Sequence, residues 1–198
     1  MSHTEGLLGG SVHDAAQRAA DIIDVLLPRP GSRDEIARRA SPGPRDERAR
    51  LIAVLRTYGE PGLIEISAAD LAGLRPAAAD LREVFAAGDV AVAAERINGL
   101  LADRAHSPRL TSHGGESGWH LHVDSRDDAP WAEWFLTSSC LALAVLLAER
   151  QAQPAGLCGS PSCGKPFVNV GRGSARRYCS PACGTRERVA AHRHGPPA

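Results

Sequence analysis

The feature that most constrains this chain is a set of four cysteines near its C-terminus. Cys158 and Cys163 are separated by four residues, fifteen residues follow, and Cys179 and Cys183 are separated by three. Two close cysteine pairs 15–20 residues apart are typical of a structural zinc site. A segment as short as residues 158–198 buries too little apolar surface to fold without a metal, disulfides or a partner. The spacing therefore predicts one structural Zn²⁺ bound by these four thiolates.

Disulfides are the main alternative for the four cysteines. The first residues, Met1 to Asp14, have neither a basic start nor an apolar stretch. We therefore expect no secretory signal and a reducing, cytoplasmic location, where thiols persist. A second alternative replaces one thiolate by His192 or His194, but both lie two or more helical turns beyond Cys183, too far to converge easily.

Four cysteine ligands close the zinc coordination sphere, so we expect a protein that is not an enzyme.

Local sequence signals predict how the first cysteine pair is held. Gly159 and Gly164 each follow a ligand cysteine, where a zinc knuckle requires a positive φ. Residues 168–170 and 177–178 are predicted to form two short strands around a glycine-rich turn. The first half of the site should therefore be a knuckle followed by a hairpin.

The second cysteine pair is predicted to lie at the start of a helix. Ser180 is a good N-cap, and Pro181 suits the first helical position. Cys183 then falls in the first turn, where the helix dipole favours a thiolate. Knuckle, hairpin and helix together predict a treble-clef-like zinc finger.

A net charge of zero hides two oppositely charged segments. The chain has 23 basic and 23 acidic side chains, but residues 158–198 carry seven basic against one acidic. Their net charge is +6, which leaves −6 for residues 1–157. With four thiolates and Zn²⁺ the segment would stay at about +4, which is basic enough for phosphate contacts. The asymmetry therefore suggests a polyanionic partner for the C-terminal segment.

The rest of the chain is predicted to be a mainly α body with one small β-hairpin. Apolar residues at helical spacing, bounded by capping and breaking residues, predict five helices and a short turn. The helices cover 14–27, 46–59, 67–87, a stretch after 88–89, and 128–151, and the turn covers 32–40. Pro76 is expected to kink or split the third helix. The domain prediction is a helical body over 1–152 and a finger over 153–198, joined by a linker at 153–156.

The hairpin is predicted from alternation over 109–113 and 118–124 around Gly114-Gly115. Trp119 should lie on one face, with His120 and His122 on the other. These two histidines, with His113, are candidate metal ligands. A metal needs three or four converging ligands, so the interpretation favoured from sequence is that they face solvent.

Two further features of the body receive structural interpretations. The longest apolar run, 131–148, is interrupted by polar residues, so no membrane span is predicted. Cys140 lies within this run, where a buried core thiol is favoured over a catalytic one.

The stretch from Phe167 to Arg193 resembles the CGNR zinc-finger family of bacterial proteins. The positions that carry the resemblance are Cys158, Cys163, Phe167, Arg176, Arg177, Tyr178, Cys179, Ser180, Cys183, Gly184 and Arg186. Thr185 stands where the family's Asn is expected, and the second cysteine pair spans three residues where many members have four. The resemblance implies an N-terminal helical domain of the ABATE type and a role in stress-related transcriptional regulation.

The leading functional hypothesis is therefore a DNA-binding regulator. Six arginines are the candidate nucleic-acid contacts: Arg172, Arg176, Arg177, Arg186, Arg188 and Arg193. On a helix Arg186 and Arg193 share one side while Arg188 lies on another, so phosphate contacts are favoured over base readout.

The alternatives are a zinc-dependent protein–protein interaction module, docking on the acidic body or on a partner, and a basic helix that is merely solvated. The body is a candidate sensor of a small-molecule effector or protein partner.

Overall fold

The computed structural model describes residues 11–27, 44–60, 64–169 and 176–193, which contain six α-helices and four short strands. In chain order these are α1 (Val12–Leu26), α2 (Pro44–Thr57), α3 (Ala68–Phe85), α4 (Val90–Arg104), β1 (Arg109–Thr111), β2 (His120–His122), α5 (Trp131–Arg150), β3 (Ala155–Leu157), β4 (Pro166–Val168) and α6 (Pro181–Arg193). The mainly helical fold class with a small hairpin is confirmed. The predicted turn at 32–40 and the glycine-rich turn of the finger lie outside the described residues.

Side-chain caps start three of the helices of the body. The Ser11 Oγ accepts a hydrogen bond from the Asp14 N–H at 2.9 Å, and the Asp89 carboxylate accepts one from Val92. Ser67 and Asp70 form a reciprocal capping box at the start of α3, as the sequence predicts. These caps satisfy backbone donors that have no partner within the helix.

The core of the body is built around α5. Helices α1, α3 and α4 all pack against it, and Phe135, Leu143 and Leu146 are almost fully buried. By length and composition alone α5 could also cross a membrane, a test that buried core helices pass as well. Its packing against three helices identifies it as the core helix. Helix α3 continues through Pro76, so the expected split does not occur.

The β1–β2 hairpin presents the opposite face from the one expected. The strands are antiparallel, with Leu110 opposite Leu121. Leu110 and Trp119 are 66% and 72% exposed, whereas His120 is only 6% exposed. The polar face is the one turned toward the protein, because it closes a cavity between the hairpin, α1 and α5.

Residues 155–157 are a strand, although the sequence predicted a linker at 153–156. Strand β3 pairs with β4 in an antiparallel hairpin, with Ala155 opposite Val168. Both side chains belong to the main hydrophobic core, and β4 packs against α1 while β3 packs against α3. The predicted pairing of 168–170 with 177–178 is therefore wrong for the described residues, since β4 takes its partner from before the first cysteine.

Polar contacts reinforce this docking of residues 155–193, the finger, onto the body. Buried Asn169 receives a hydrogen bond at its carbonyl from Arg150 and donates its own N–H to Pro154 at 2.9 Å. Its amide side chain donates to Gln153 at 3.0 Å. Lys165 lies 3.7 Å from a carboxylate oxygen of Asp24. Through Ala155 and Val168, the finger therefore contributes to the main core of the body.

Candidate metal centre and basic surface

The four C-terminal cysteines converge on one point. Their Sγ atoms all lie within 4.8 Å of one another. The Sγ atoms of Cys163 and Cys179 are 3.6 Å apart, and those of Cys179 and Cys183 are 3.7 Å apart. Tetrahedral Zn²⁺ with Zn–S bonds of about 2.3 Å places its sulfurs about 3.8 Å apart. The spacing fits zinc and is much longer than a disulfide bond.

The first pair lies in the loop between β3 and β4. The Cys158 N–H donates to the Lys165 carbonyl at 2.9 Å, and the Cys163 N–H donates to Ser160 at 2.9 Å. Gly164 has the predicted positive φ, at 61°. Gly159 has no positive φ; a Cβ there would come within 3.2 Å of the Arg177 carbonyl oxygen, to which its N–H donates. Close backbone approach, rather than a left-handed turn, favours glycine at 159.

The second pair brackets the start of α6, as predicted. The Ser180 Oγ accepts a hydrogen bond from the Cys183 N–H at 3.3 Å, and Pro181 is the first helical residue. Cys183 is 5% exposed and is the one buried residue of α6 among those described. A thiolate at this position is stabilised by the helix dipole.

A small second core surrounds the four sulfurs. Cys158, Cys183 and Phe167 are buried together, with Tyr178 packed at their edge. Arg186 lies 3.8 Å from the Cys183 Sγ, where its guanidinium can donate to a metal-bound thiolate. Burial is the largest cause that raises the pKa of the Cys179 thiol above its ordinary range. Crowded, partly buried thiols of this kind ionise when a cation neutralises them.

These residues hold one structural zinc ion, and the chemistry of the donor set fits it. Four sulfur donors at tetrahedral spacing complete the coordination sphere. Zinc bound here therefore cross-links the finger and has no free coordination position for a substrate. Because the ligands come from two separate segments, zinc binding also contributes to folding.

The structure gives the predicted arginines different roles. Arg172 lies outside the described residues. Arg176 donates to the Val168 carbonyl at 2.6 Å and stacks over the Phe167 ring, so it is part of the finger's own framework. Arg177 stacks over Tyr178 with its guanidinium carbon 5.5 Å from the ring centre.

The remaining arginines project from α6. Arg186 contacts the zinc site through Cys183, and Arg188 donates to the Thr185 hydroxyl at 3.1 Å. Arg188 and Arg193 are exposed, as is most of α6. Within the described ranges, no carboxylate forms an ion pair with any of the five arginines at 176, 177, 186, 188 and 193. Glu187, the acidic residue of α6, instead accepts a hydrogen bond from the Ser160 hydroxyl at 2.6 Å, so these five arginines are unpaired among the described residues.

The histidines of the hairpin do not face solvent, which corrects the favoured interpretation. His113, His120 and His122 bring their ring nitrogens together, all within 4.8 Å of one another. Alternation correctly placed His120 and His122 on one face. It gave no indication that this face would be covered, because the covering residues come from distant parts of the chain.

Sequence reasoning also missed a buried ion pair beside these histidines. The Arg18 guanidinium contacts the Glu60 carboxylate and lies over the Trp134 ring, 4.3 Å from its centre. Burial lowers the pKa of Arg18 and raises that of Glu60, and their mutual attraction opposes both shifts. An arginine on the apolar face of α1 was the signal available in the sequence.

The ion pair and the histidines line a cavity of about 530 Å³ between α1, α5 and the hairpin. Its lining also includes aromatic and hydroxyl groups, among them Tyr58, Trp131, Trp134 and Ser138. A volume of this size accommodates a small molecule.

Comparison with known proteins gives one family match. Residues 155–194 match the family model described as the CGNR zinc finger. The matched range begins at β3 and contains all four zinc-site cysteines and helix α6. No curated protein matches the chain.

Proposed function

We propose that this protein is a DNA-binding transcriptional regulator whose finger, which matches the CGNR zinc-finger model over residues 155–194, contacts the phosphate backbone. The observation that carries the proposal is the exposure of α6. Only Cys183 of this helix is buried, and its arginines have no ion pairs among the described residues. An exposed, unneutralised basic helix attracts the phosphates of nucleic acid.

The contacts divide the arginines into two groups. Arg176 and Arg186 hold the finger together, through Val168 and Cys183. All five are exposed, but Arg177, Arg188 and Arg193 donate no side-chain hydrogen bond to the finger's backbone or cysteines among the described residues, so their charge is available. The second group supplies the phosphate contacts in this proposal, because using the first group would disturb the zinc site or its framework.

The arrangement favours phosphate binding over base recognition. Arg188 and Arg193 are five residues apart, about 140° around the helix, so they do not share one recognition face. Arginines spread around a helix can contact separate phosphates, which positions the protein without specifying sequence.

Docking of the finger on the acidic body leaves the arginines of α6 unused. The finger packs on the body through the β3–β4 hairpin. Among the described residues of the finger, Lys165 is the cation that lies near carboxylates of the body, those of Asp21 and Asp24. The arginines of α6 take no part in this contact. The geometry therefore supports an external polyanion more strongly than self-association of the two segments.

The body completes the proposed regulator. We assign residues 1–152 to a helical domain of the ABATE type whose cavity receives an effector, and we place the protein in the cytoplasm, where the thiolates stay reduced. The cavity of about 530 Å³ lies in this part of the molecule. In this proposal the protein acts by binding and catalyses no reaction.

Fluorescence anisotropy with the full chain and a mixed-sequence duplex of about 25 base pairs tests the assignment. We expect the variant R177Q/R188Q/R193Q to bind at least about tenfold more weakly at low salt, since each lost phosphate contact is worth roughly 0.5–1 kcal/mol. The matched control is R56Q/R104Q/R126Q, which removes the same charge from exposed positions on the body.

A control variant that loses as much affinity as the test variant would show that net charge alone governs binding. No binding by the wild type near ~50 mM salt would overturn the DNA-binding proposal and leave the protein-interaction module as the function. Zinc content is measured for each variant, so that a lost finger is not mistaken for a lost contact.

A further inference from the structure

A second group of metal-ligating side chains lies about the β1–β2 hairpin, separate from the four cysteines. The Nε2 atoms of His113 and His120 are 3.2 Å apart, and those of His120 and His122 are 3.0 Å apart. Tetrahedral ligands bonded to zinc at about 2.0–2.1 Å lie about 3.3 Å from one another. Two of the three separations therefore match those between ligands of one metal ion, and ring nitrogens of all three histidines lie within 4.8 Å of one another.

The opposite ring nitrogens fix which way the Nε2 lone pairs point. The Nδ1 of His120 is 2.7 Å from the Gly118 carbonyl oxygen, which can only accept, so this Nδ1 carries the proton. The Nδ1 of His122 lies 2.9 Å from the Asp124 carboxylate, which also accepts. Arg109 holds that carboxylate with a 2.6 Å contact. In their neutral forms both rings therefore present unprotonated Nε2 atoms to each other.

Two facing lone pairs at 3.0 Å repel each other unless a proton or a metal cation lies between them. An anchored Nδ1–H with a free Nε2 is the arrangement that metal-binding histidines adopt, with a carboxylate or carbonyl orienting the ring. Asp124 and the Gly118 carbonyl occupy these orienting positions. The Nε2 atoms are thus placed as metal ligands, and Asp124 and the Gly118 carbonyl are placed as the groups that orient such ligands.

The backbone at the third histidine adds an independent observation. His113 has a φ of 48°, the left-handed region that non-glycine residues avoid. Its N–H donates to the Thr111 hydroxyl, and Thr111 in turn donates to Asp127. Strained residues of this kind concentrate at ligand sites. Here the strain brings the His113 ring beside the two strand histidines.

The site is open on the side of the cavity. Among the described residues, no further histidine, cysteine or carboxylate joins these three nitrogens within the same 4.8 Å. Glu60 is near enough for His120 and His122 to affect its pKa, but its carboxylate is held by Arg18. Three protein ligands with one free position are typical of metal sites that bind water or an exogenous ligand.

We propose that His113, His120 and His122 bind a divalent transition-metal ion of the zinc class, with its open coordination position facing the cavity. A ligand that enters the cavity can then coordinate the metal directly through an oxygen or nitrogen donor. The inference concerns the body alone and does not depend on whether the finger binds DNA.

Metal content of the full chain, expressed without a histidine tag and supplied with zinc, tests the proposal. We expect two zinc ions per wild-type chain and one in His122→Gln. His106→Gln is the matched control, because His106 is an exposed histidine outside the cluster and should keep both ions. One zinc ion in the wild type, unchanged in His122→Gln, overturns the proposal.

X-ray absorption at the zinc edge of the wild-type protein provides a measurement that needs no variant. We expect a mixed first shell of sulfur and nitrogen, with the outer-shell scattering of imidazole. A pure sulfur shell after zinc supplementation overturns the three-histidine site even if His122→Gln fails to fold. Loss of the sulfur component alone would count against the finger and leave the histidine site intact, so the two sites are tested separately.

Discussion

Cys140 differs from the other cysteines in its surroundings, and this difference can be measured. It is 1% exposed in the middle of α5, where burial raises the pKa of its thiol from 9.0 to about 12. The thiolate is the reactive form, so this side chain is inert at neutral pH while the protein is folded. Above pH 9 the unfolded chain loses this proton while the folded chain retains it, so stability falls as pH rises toward 12.

Thiol titration with a coloured disulfide reagent checks this prediction. We expect little reaction in the zinc-loaded protein, four reactive thiols after a strong chelator is added, and five after full denaturation. Cys140→Ala should leave four under both conditions. Five reactive thiols after chelation alone would contradict the separate, buried position of Cys140.

The Arg18–Glu60 pair is predicted to be the most sensitive polar contact of the body. Both side chains are largely buried, at 9% and 17% exposure. Glu60→Gln leaves a buried guanidinium without its counter-charge, which costs about 3–5 kcal/mol of unfolding free energy. Urea unfolding measures the loss, and exposed Glu65→Gln should change stability by less than about 0.5 kcal/mol. Equal stability of the two variants would show that the pair is not buried as described.

At the residue scale, the zinc ligands could be predicted from sequence, whereas the three histidines could be named as candidates but their convergence and burial could not. The cysteine ligands lie in two short local motifs, so spacing and turn chemistry are sufficient. The histidines share one strand face, but whether that face is covered depends on α1 and the end of α2. Those elements approach the hairpin only in the folded chain, and Arg18 becomes a cavity residue for the same reason.

At the scale of elements, strand β4 connects the finger to the body. Val168 is fully buried in the main core, opposite Ala155. Val168→Ala should cost about 2 kcal/mol, from lost burial and the cavity that remains. Val189→Ala makes the same chemical change on α6, where the side chain is 43% exposed, and should cost less than about 0.5 kcal/mol.

Differential scanning calorimetry distinguishes a docked finger from a tethered one. We expect Val168→Ala to lower the melting temperature of a single shared transition, because β4 packs against α1. Two separate transitions, with only the smaller one shifted, would contradict the shared core.

Most helices were predictable from their caps and apolar spacing, because these signals are local. The pairing of β3 with β4 was not, since residues 153–156 resemble a linker when only their glycine and proline content is considered. Residues 155–157 form a strand because they pair with β4, which begins nine residues after β3 ends, and because they pack against α3. Such strand pairing depends on tertiary contacts more than on intrinsic preference.

At the scale of the whole molecule, the neutral total charge separates into an acidic body and a basic finger. The docking contact uses Lys165, so the arginines of α6 remain available on the outside. A polyanion can therefore meet the finger while the body and its cavity stay accessible. The same arrangement would allow a ligand of the cavity to influence the finger through α1, which contacts both.

The central claim, that the finger binds nucleic acid through phosphate contacts, is tested most directly by the salt dependence of DNA affinity. The measurement is the dissociation constant of the zinc-loaded full chain for duplex DNA over a series of salt concentrations. Three phosphate contacts, from Arg177, Arg188 and Arg193, predict that the logarithm of the binding constant falls with the logarithm of salt with a slope of about −3. A slope near zero would contradict the claim.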